Sequence, residues 1–149
     1  MEPLNFPKYA FRFKSKENNI LVFDEVRRKF VSLLPEEWVR QNCIQYLIKE
    51  KGYPASRMLV ERQYKRNGLQ RRIDLAVCDL NGNIAILVEC KASHVDIDQV
   101  VFDQIARYNL EFQATFLMVT NGLKHIYCKM DYEHKKYIYL RELPEFEIG

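Results

Sequence analysis

The chain has 149 residues, 48% of them hydrophobic and 13% aromatic, which is enough for one full core and too few for two. No run of about 18 apolar residues occurs that could span a membrane, and the overall charge of +3 is too small to single out a partner. The opening MEPLNFPKYAFRFK puts charges and prolines where a secretory leader needs an apolar stretch, so a soluble, cytoplasmic chain with no membrane partner is expected.

In chain order, Tyr9 to Lys14 alternates aromatic and polar residues, and Ile20 to Phe23 follows the polar KSKENN. This pattern predicts a β-hairpin extension over residues 1–34, packed on a core formed by residues 35–149. Pro35 suits the first turn of a helix, and Val39, Cys43, Tyr46, Leu47 and Ile48 follow near helical spacing, with Gly52 at the end. Ser56 to Gln63 and Leu69 to Leu80 read as strands around the turn KRNG, and LNGNIAILVECK supplies the next. Asp96-Ile97-Asp98-Gln99 has capping-box spacing and opens a helix to about Phe112. ATFLMVTNG, KHIYCKM and KYIYLREL then read as three more strands. The order predicts an α/β fold in which Lys91 to Ala114 crosses over as a right-handed βαβ unit.

Cys43, Cys78, Cys90 and Cys128 are widely spaced with no CxxC pair, so neither a zinc site nor a disulfide framework is expected. His94, His125 and His134 share no ligand spacing. Charge is distributed more informatively than its total. Lys49 to Arg72 holds eight basic residues against two acids, a local surplus of six, so the rest of the chain is net −3. Lys65, Arg66, Arg71 and Arg72 in that stretch are candidates for contacts to a nucleic-acid backbone, the alternative being a solvated face.

The stretch IAILVECKAS raises the chemical question. Strand alternation places Leu87, Glu89 and Lys91 on one face of an apolar strand. If Asn81-Gly82 is a two-residue hairpin loop, Asp74 lies directly opposite Glu89, with side chains roughly 4.5–5.5 Å apart at Cβ. If Asn83 joins the turn, the register slips and the opposition becomes diagonal. Two carboxylates so placed repel unless a cation sits between them, so losing one of them is expected to leave the metal-free fold intact or steadier. Hard divalent cations take oxygen ligands and leave room for water and phosphate oxygens. Asp74, Glu89 and the Cys90 carbonyl are therefore candidate ligands for Mg²⁺ or Mn²⁺, and Lys91 a candidate to orient water or stabilise developing charge in phosphodiester hydrolysis. An ordinary Glu-Lys pair at a strand end is the alternative.

RRIDLAV followed by ILVECKAS resembles the D…ExK signature of the PD-(D/E)xK nuclease superfamily. With PEEWVRQN, FDQIARYN and LMVTNGL, the wider pattern is similar to the N-terminal nuclease domain of type I restriction enzyme R subunits, over roughly Pro35 to Asp131. The resemblance implies a restriction-endonuclease-like mixed β-sheet flanked by helices, acting on DNA, with Asp74, Glu89 and Lys91 catalytic. It also implies a further acid on the first helix and a Gln on the helix after ExK, places that Glu37 and Gln104 occupy. Gln104 sits in the stripe Ile97, Val101, Gln104, Ile105, Tyr108, where it is either a site residue or a satisfied core amide. Glu37, in the first helical turn, also favours the helix dipole. Thr120-Asn121-Gly122 reads as a hairpin turn, and the resemblance puts it near the site. Ile73 stands where the superfamily name has Pro. No GxxxxGK[ST] loop occurs in these residues, so cleavage is expected to be uncoupled from translocation unless a separate motor or specificity subunit is a partner. A non-catalytic nucleic-acid-binding or assembly module with the same fold is the rival reading.

Overall fold

A computed structural model of the chain describes residues 1–66 and 68–147; within them the side chains of Tyr64, Arg66 and Leu69 are not described. Nine strands and two α-helices form two sheets among these residues. The first sheet is antiparallel, with β1 (Phe13–Lys16), β2 (Asn19–Asp24) and β3 (Lys29–Ser32) in that order. The expected hairpin thus gains a third strand. Asp24 starts the connecting turn, accepting the Val26 and Arg27 N–H groups on Oδ1 at 2.8 and 2.7 Å.

Helix α1 (Pro35–Lys49) begins with Pro at its first position and Glu36 and Glu37 in its first turn, where the missing N–H and the positive dipole end suit them. The second sheet follows: β4 (Met58–Arg66), β5 (Leu69–Cys78), β6 (Ile84–Cys90), β7 (Phe116–Thr120), β8 (His125–Asp131) and β9 (Lys136–Leu140), in sequential order. All pairs are antiparallel except β6 with β7, which are parallel and joined across α2 (Gln99–Tyr108) and a 3₁₀ turn at Leu110–Phe112. The helix starts later than its spacing suggests. Asp98, not Asp96, is the cap, accepting the Val101 N–H at 2.8 Å.

Strand alternation builds two cores. Ile86, Val88 and Cys90 of β6 pack with Val39, Cys43, Ile44 and Leu47 of α1. Leu87 packs the other way, with Phe102, Ile105 and Ala106 of α2. A strand covered on both faces has to be apolar throughout, which is why Ile84 to Val88 reads as an unbroken run.

The β5–β6 connection departs from the two-residue loop. Asp79 to Asn83 all take part: the Asp79 N–H donates to the Asn83 carbonyl at 2.8 Å, and Asp79 Oδ1 accepts the N–H groups of Asn81 and Asn83. Cys78 pairs with Ile84, but Val77 pairs with Ile86, so β6 carries one extra residue beside Val77/Cys78. The bulge absorbs the slip. Beyond it Ala76 pairs with Leu87 and Leu75 with Val88, the last pair before Asp74 and Glu89.

Candidate active site

Regular pairing of β5 with β6 runs to Leu75 and Val88, so the backbone of Cys90 needs another partner. Asp74 provides it: its Oδ2 accepts the Cys90 N–H at 2.7 Å. The carbonyl of a strand residue points to the same side as its N–H, so the Cys90 carbonyl faces this site too. Asp74 Oδ1 accepts from Arg40 of α1, whose Nε lies 2.7 Å away and whose Nη2 is also in contact. Arg40 is 4% exposed and Asp74 8%, so a charge pair is almost fully removed from water.

Arg40 also donates to Glu37 Oε1 at 2.8 Å and lies 3.4 Å from Glu61. Burial opposes its charge, but Asp74 and Glu37 outweigh burial and its pKa is raised. Arg27, in the turn before β3, spreads its nitrogens over Asp24, Glu37 and Glu61 at 2.8, 2.8 and 3.1 Å. Gln41 donates to Asp24 at 2.8 Å. Glu61 takes φ +51°, a left-handed backbone that costs a non-glycine residue on the order of 1–3 kcal/mol. The kink sits in β4 between the pairs Val60/Leu75 and Arg62/Ile73, beside Asp74, and its carboxylate meets Arg27, Arg40 and Arg72.

A cavity of about 180 Å³ is lined by Glu36, Arg40, Arg72, Asp74, Glu89 and Tyr108. A second, of about 250 Å³, is lined by Glu89, Lys91, Gln104, Ile105, Tyr108 and Asn109, and shares Glu89 and Tyr108 with the first. Burial, then the Asp74 carboxylate, push Glu89 up to about 7, while Lys91 and Arg40 pull it down. Burial and Asp74 likewise raise Glu36. The structure therefore brings Asp74, Glu89, Lys91 and Gln104 around two adjoining cavities. Gln104 is exposed there and is not a core amide.

Glu37 is placed differently. Its two oxygens are held by Arg27, Arg40 and Gln41, whereas its neighbour Glu36 lines the cavity with Asp74 and Glu89. Among the basic candidates, Arg72 is exposed at the cavity rim and paired to Glu61. Arg71 is held by Glu111 at 2.7 Å and lies over the Tyr108 ring at 4.6 Å. Lys65 is exposed on β4, away from both cavities, and the Arg66 side chain lies outside the described residues. Thr120-Asn121-Gly122 forms the β7–β8 turn, where Asn121 Oδ1 accepts the Leu123 and Lys124 N–H groups. Gly122, at φ +88°, faces the Leu4 side chain, which a Cβ would have to push aside.

Sequence patterning left Arg40, Glu61, Glu36 and Arg27 out of the site. One signal was available: Glu37, Arg40 and Gln41 fall at i, i+3 and i+4, a polar stripe on a helix whose other stripe is apolar.

Among the described residues no three His, Cys, Asp or Glu side chains converge as a metal cluster. The donor chemistry nevertheless fits a hard divalent cation. Six carboxylates (Asp24, Glu36, Glu37, Glu61, Asp74, Glu89) face four cations (Arg27, Arg40, Arg72, Lys91), an excess of two negative charges when Glu89 is ionised.

The sequence model of the family described as type I restriction enzyme R protein N terminus (HSDR_N) matches residues 35–144. No curated protein matches the chain. Among solved structures, the chain is similar to one described as "the fragment structure of a putative HsdR subunit of a type I restriction enzyme" from Vibrio vulnificus YJ016. The TM-score is 0.52 at 20% identity, covering 75% of this chain and 24% of that one. The chain spans about a quarter of that fragment's length, and the likeness is one of fold. Among the described residues no helix is long and apolar enough to cross a membrane.

Proposed function

This chain belongs to the type I restriction enzyme R protein N-terminus family, and on that premise we propose that it is a metal-dependent deoxyribonuclease of PD-(D/E)xK type. The observation that carries the reading is the convergence of Asp74, Glu89, Lys91 and Gln104 on two cavities that share Glu89. Asp74, Glu89 and the Cys90 carbonyl would hold Mg²⁺ or Mn²⁺, which supplies Lewis-acid polarisation of a phosphoryl oxygen and a more acidic water.

The chain's own groups do the rest. Lys91 carries a positive charge beside Glu89, where it attracts a phosphate oxygen and stabilises charge developing on it. Burial and Asp74 hold Glu89 at about 7 in the metal-free site, so a bound cation would compete with a proton for this carboxylate near neutral pH. The exposed amide of Gln104 can hydrogen-bond a phosphate or water in the same cavity. Arg40 holds the Asp74 carboxylate in one orientation. Arg72 offers a cation to the nucleic-acid backbone at the rim. DNA is the proposed substrate, and a separate motor or specificity subunit the proposed partner.

One observation favours a second reading. Both oxygens of Asp74 already have donors, Arg40 and the Cys90 N–H, so the site can persist as a satisfied polar cluster in a non-catalytic binding or assembly module. Cleavage of labelled single- and double-stranded DNA with Mg²⁺ or Mn²⁺, against the same reaction in EDTA, separates the two.

A further inference from the structure

The family match begins at residue 35, which leaves the three-stranded sheet outside it. Residues 1–34 hold seven Lys and Arg against four Asp and Glu, a surplus of three equal to the whole chain's +3, so residues 35–149 balance.

Alternation along the strands sorts this charge by face. One face carries Phe13, Val22 and Asp24; Val22 and Asp24 are fully buried, and the Phe13 ring lies 6.3 Å from Trp38 of α1. The other carries Lys14, Lys16, Leu21, Phe23 and Phe30, with Arg12 beside Phe23, whose N–H donates to the Arg12 carbonyl. Arg12, Lys14 and Lys16 are exposed, and among the described residues no carboxylate lies within ion-pair distance of them. Phe23 and Phe30 form the floor beneath, 5.3 Å apart between centroids. The Arg12 guanidinium lies 4.6 Å above Phe23 and 5.6 Å from Phe30, and Lys14 Nζ 4.3 Å above Phe30. Three exposed cations at positions 12, 14 and 16, the last two on the edge strand β1, have no carboxylate partner among the described residues and repel one another, so a polyanion is the complementary occupant.

The aromatic rings add a second selection, because a cation drawn off a ring onto a phosphate frees that ring's face for a base. Duplex nucleic acid presents phosphates but hides its base faces, whereas a single strand offers phosphates to Lys and Arg and bases to Phe. The surface also leads to the cavities, since Phe30 lines a cleft of about 540 Å³ that reaches Glu36 and Arg40. We propose that the outward face of β1–β3 is a binding platform for single-stranded nucleic acid, with Arg12, Lys14 and Lys16 on phosphates and Phe23 and Phe30 under bases.

Fluorescence anisotropy of the full chain in EDTA tests the platform independently of cleavage, with labelled oligothymidylate, a duplex of equal length and an abasic strand of equal length as probes. The wild type should bind oligothymidylate about tenfold or more tighter than either alternative, as base stacking of 1–3 kcal/mol implies. The combined Arg12→Gln, Lys14→Gln and Lys16→Gln variant should lower the slope of log K against log salt by about two units. Phe30→Leu should keep the slope and cut the preference over the abasic strand about fivefold or more, with Phe23 still in place. Thermal melts check folding. If the combined variant melts early, Lys14→Gln and Lys16→Gln singly should each remove about 0.7 of a unit of slope. Equal affinity for all three probes, or unchanged affinity and slope in folded variants, overturns the proposal.

Discussion

The carboxylate of Asp74 accepts a 2.7 Å hydrogen bond from Arg40 Nε on one oxygen and a 2.7 Å bond from the Cys90 N–H on the other. The relationship changes what losing the acid should do. Repulsion between Asp74 and Glu89 alone would make Asp74→Ala neutral or steadying without metal. With Arg40 almost wholly buried, the same substitution takes away one of its carboxylates, although Glu37 still accepts from it, and leaves the Cys90 N–H without an acceptor, so it should destabilise by about 1–3 kcal/mol. Arg40→Gln should cost a similar amount. The two losses together should fall short of their sum, since either breaks the same pair. Urea unfolding in metal-free buffer measures all three, and a rise in midpoint for Asp74→Ala would show that repulsion dominates.

Glu89 gives a pH signature. Its proton is held more tightly folded, at about 7, than unfolded, at about 4.3. Its contribution is therefore fully present below the unfolded value and is lost as pH rises through 7, on the order of 1–3 kcal/mol. In metal-free buffer the melting temperature should fall from about pH 5 to about pH 8, and Glu89→Gln should flatten the decline. Parallel declines in both proteins would mean that other groups cause it.

The basic run divides by surroundings. Arg72 is exposed at the cavity rim, so Arg72→Ala should weaken duplex DNA binding and remove about 0.9 of a unit from the salt slope. Arg71 is held between Glu111 and Tyr108, so Arg71→Ala should lower the melting temperature and leave the slope nearly unchanged. Anisotropy titrations across salt concentrations, with melts alongside, read both; equal slope changes in the two variants would make the run a uniform backbone contact.

Local patterning carried far into the fold. The α1 stripe, the buried run of β6 and the parallel crossover through α2 follow from periodicity, and the pairing of Leu75 with Val88, one step before Asp74 and Glu89, follows from the β5–β6 hairpin. What sequence could not give was the bulge that restores that register after Asn83 joins the turn. β3 was missed because KFVS is short and enters from a turn fixed by Asp24 and by Arg28 at φ +58°. Glu36 and Glu37 are neighbours about 100° apart around a helix, so one step of phase decides which faces the cavity. Arg40 and Glu61 are joined to Asp74 only by tertiary packing, and the left-handed turn at Glu61 has no local sequence cue.

Cleavage assays paired with metal-dependent melting are the most direct measurement of whether Asp74, Glu89 and Lys91 hydrolyse phosphodiesters with a divalent cation. The wild type should cut labelled DNA in Mg²⁺ or Mn²⁺ but not in EDTA, and its melting temperature should rise with metal. Lys91→Ala should abolish cutting and keep the metal-induced rise, because the amine acts on the substrate and not on the ion. Asp74→Asn should lose both. A wild type that cuts no single- or double-stranded DNA or RNA in either metal, and whose melting does not respond to metal, contradicts the nuclease assignment and leaves the non-catalytic module in its place.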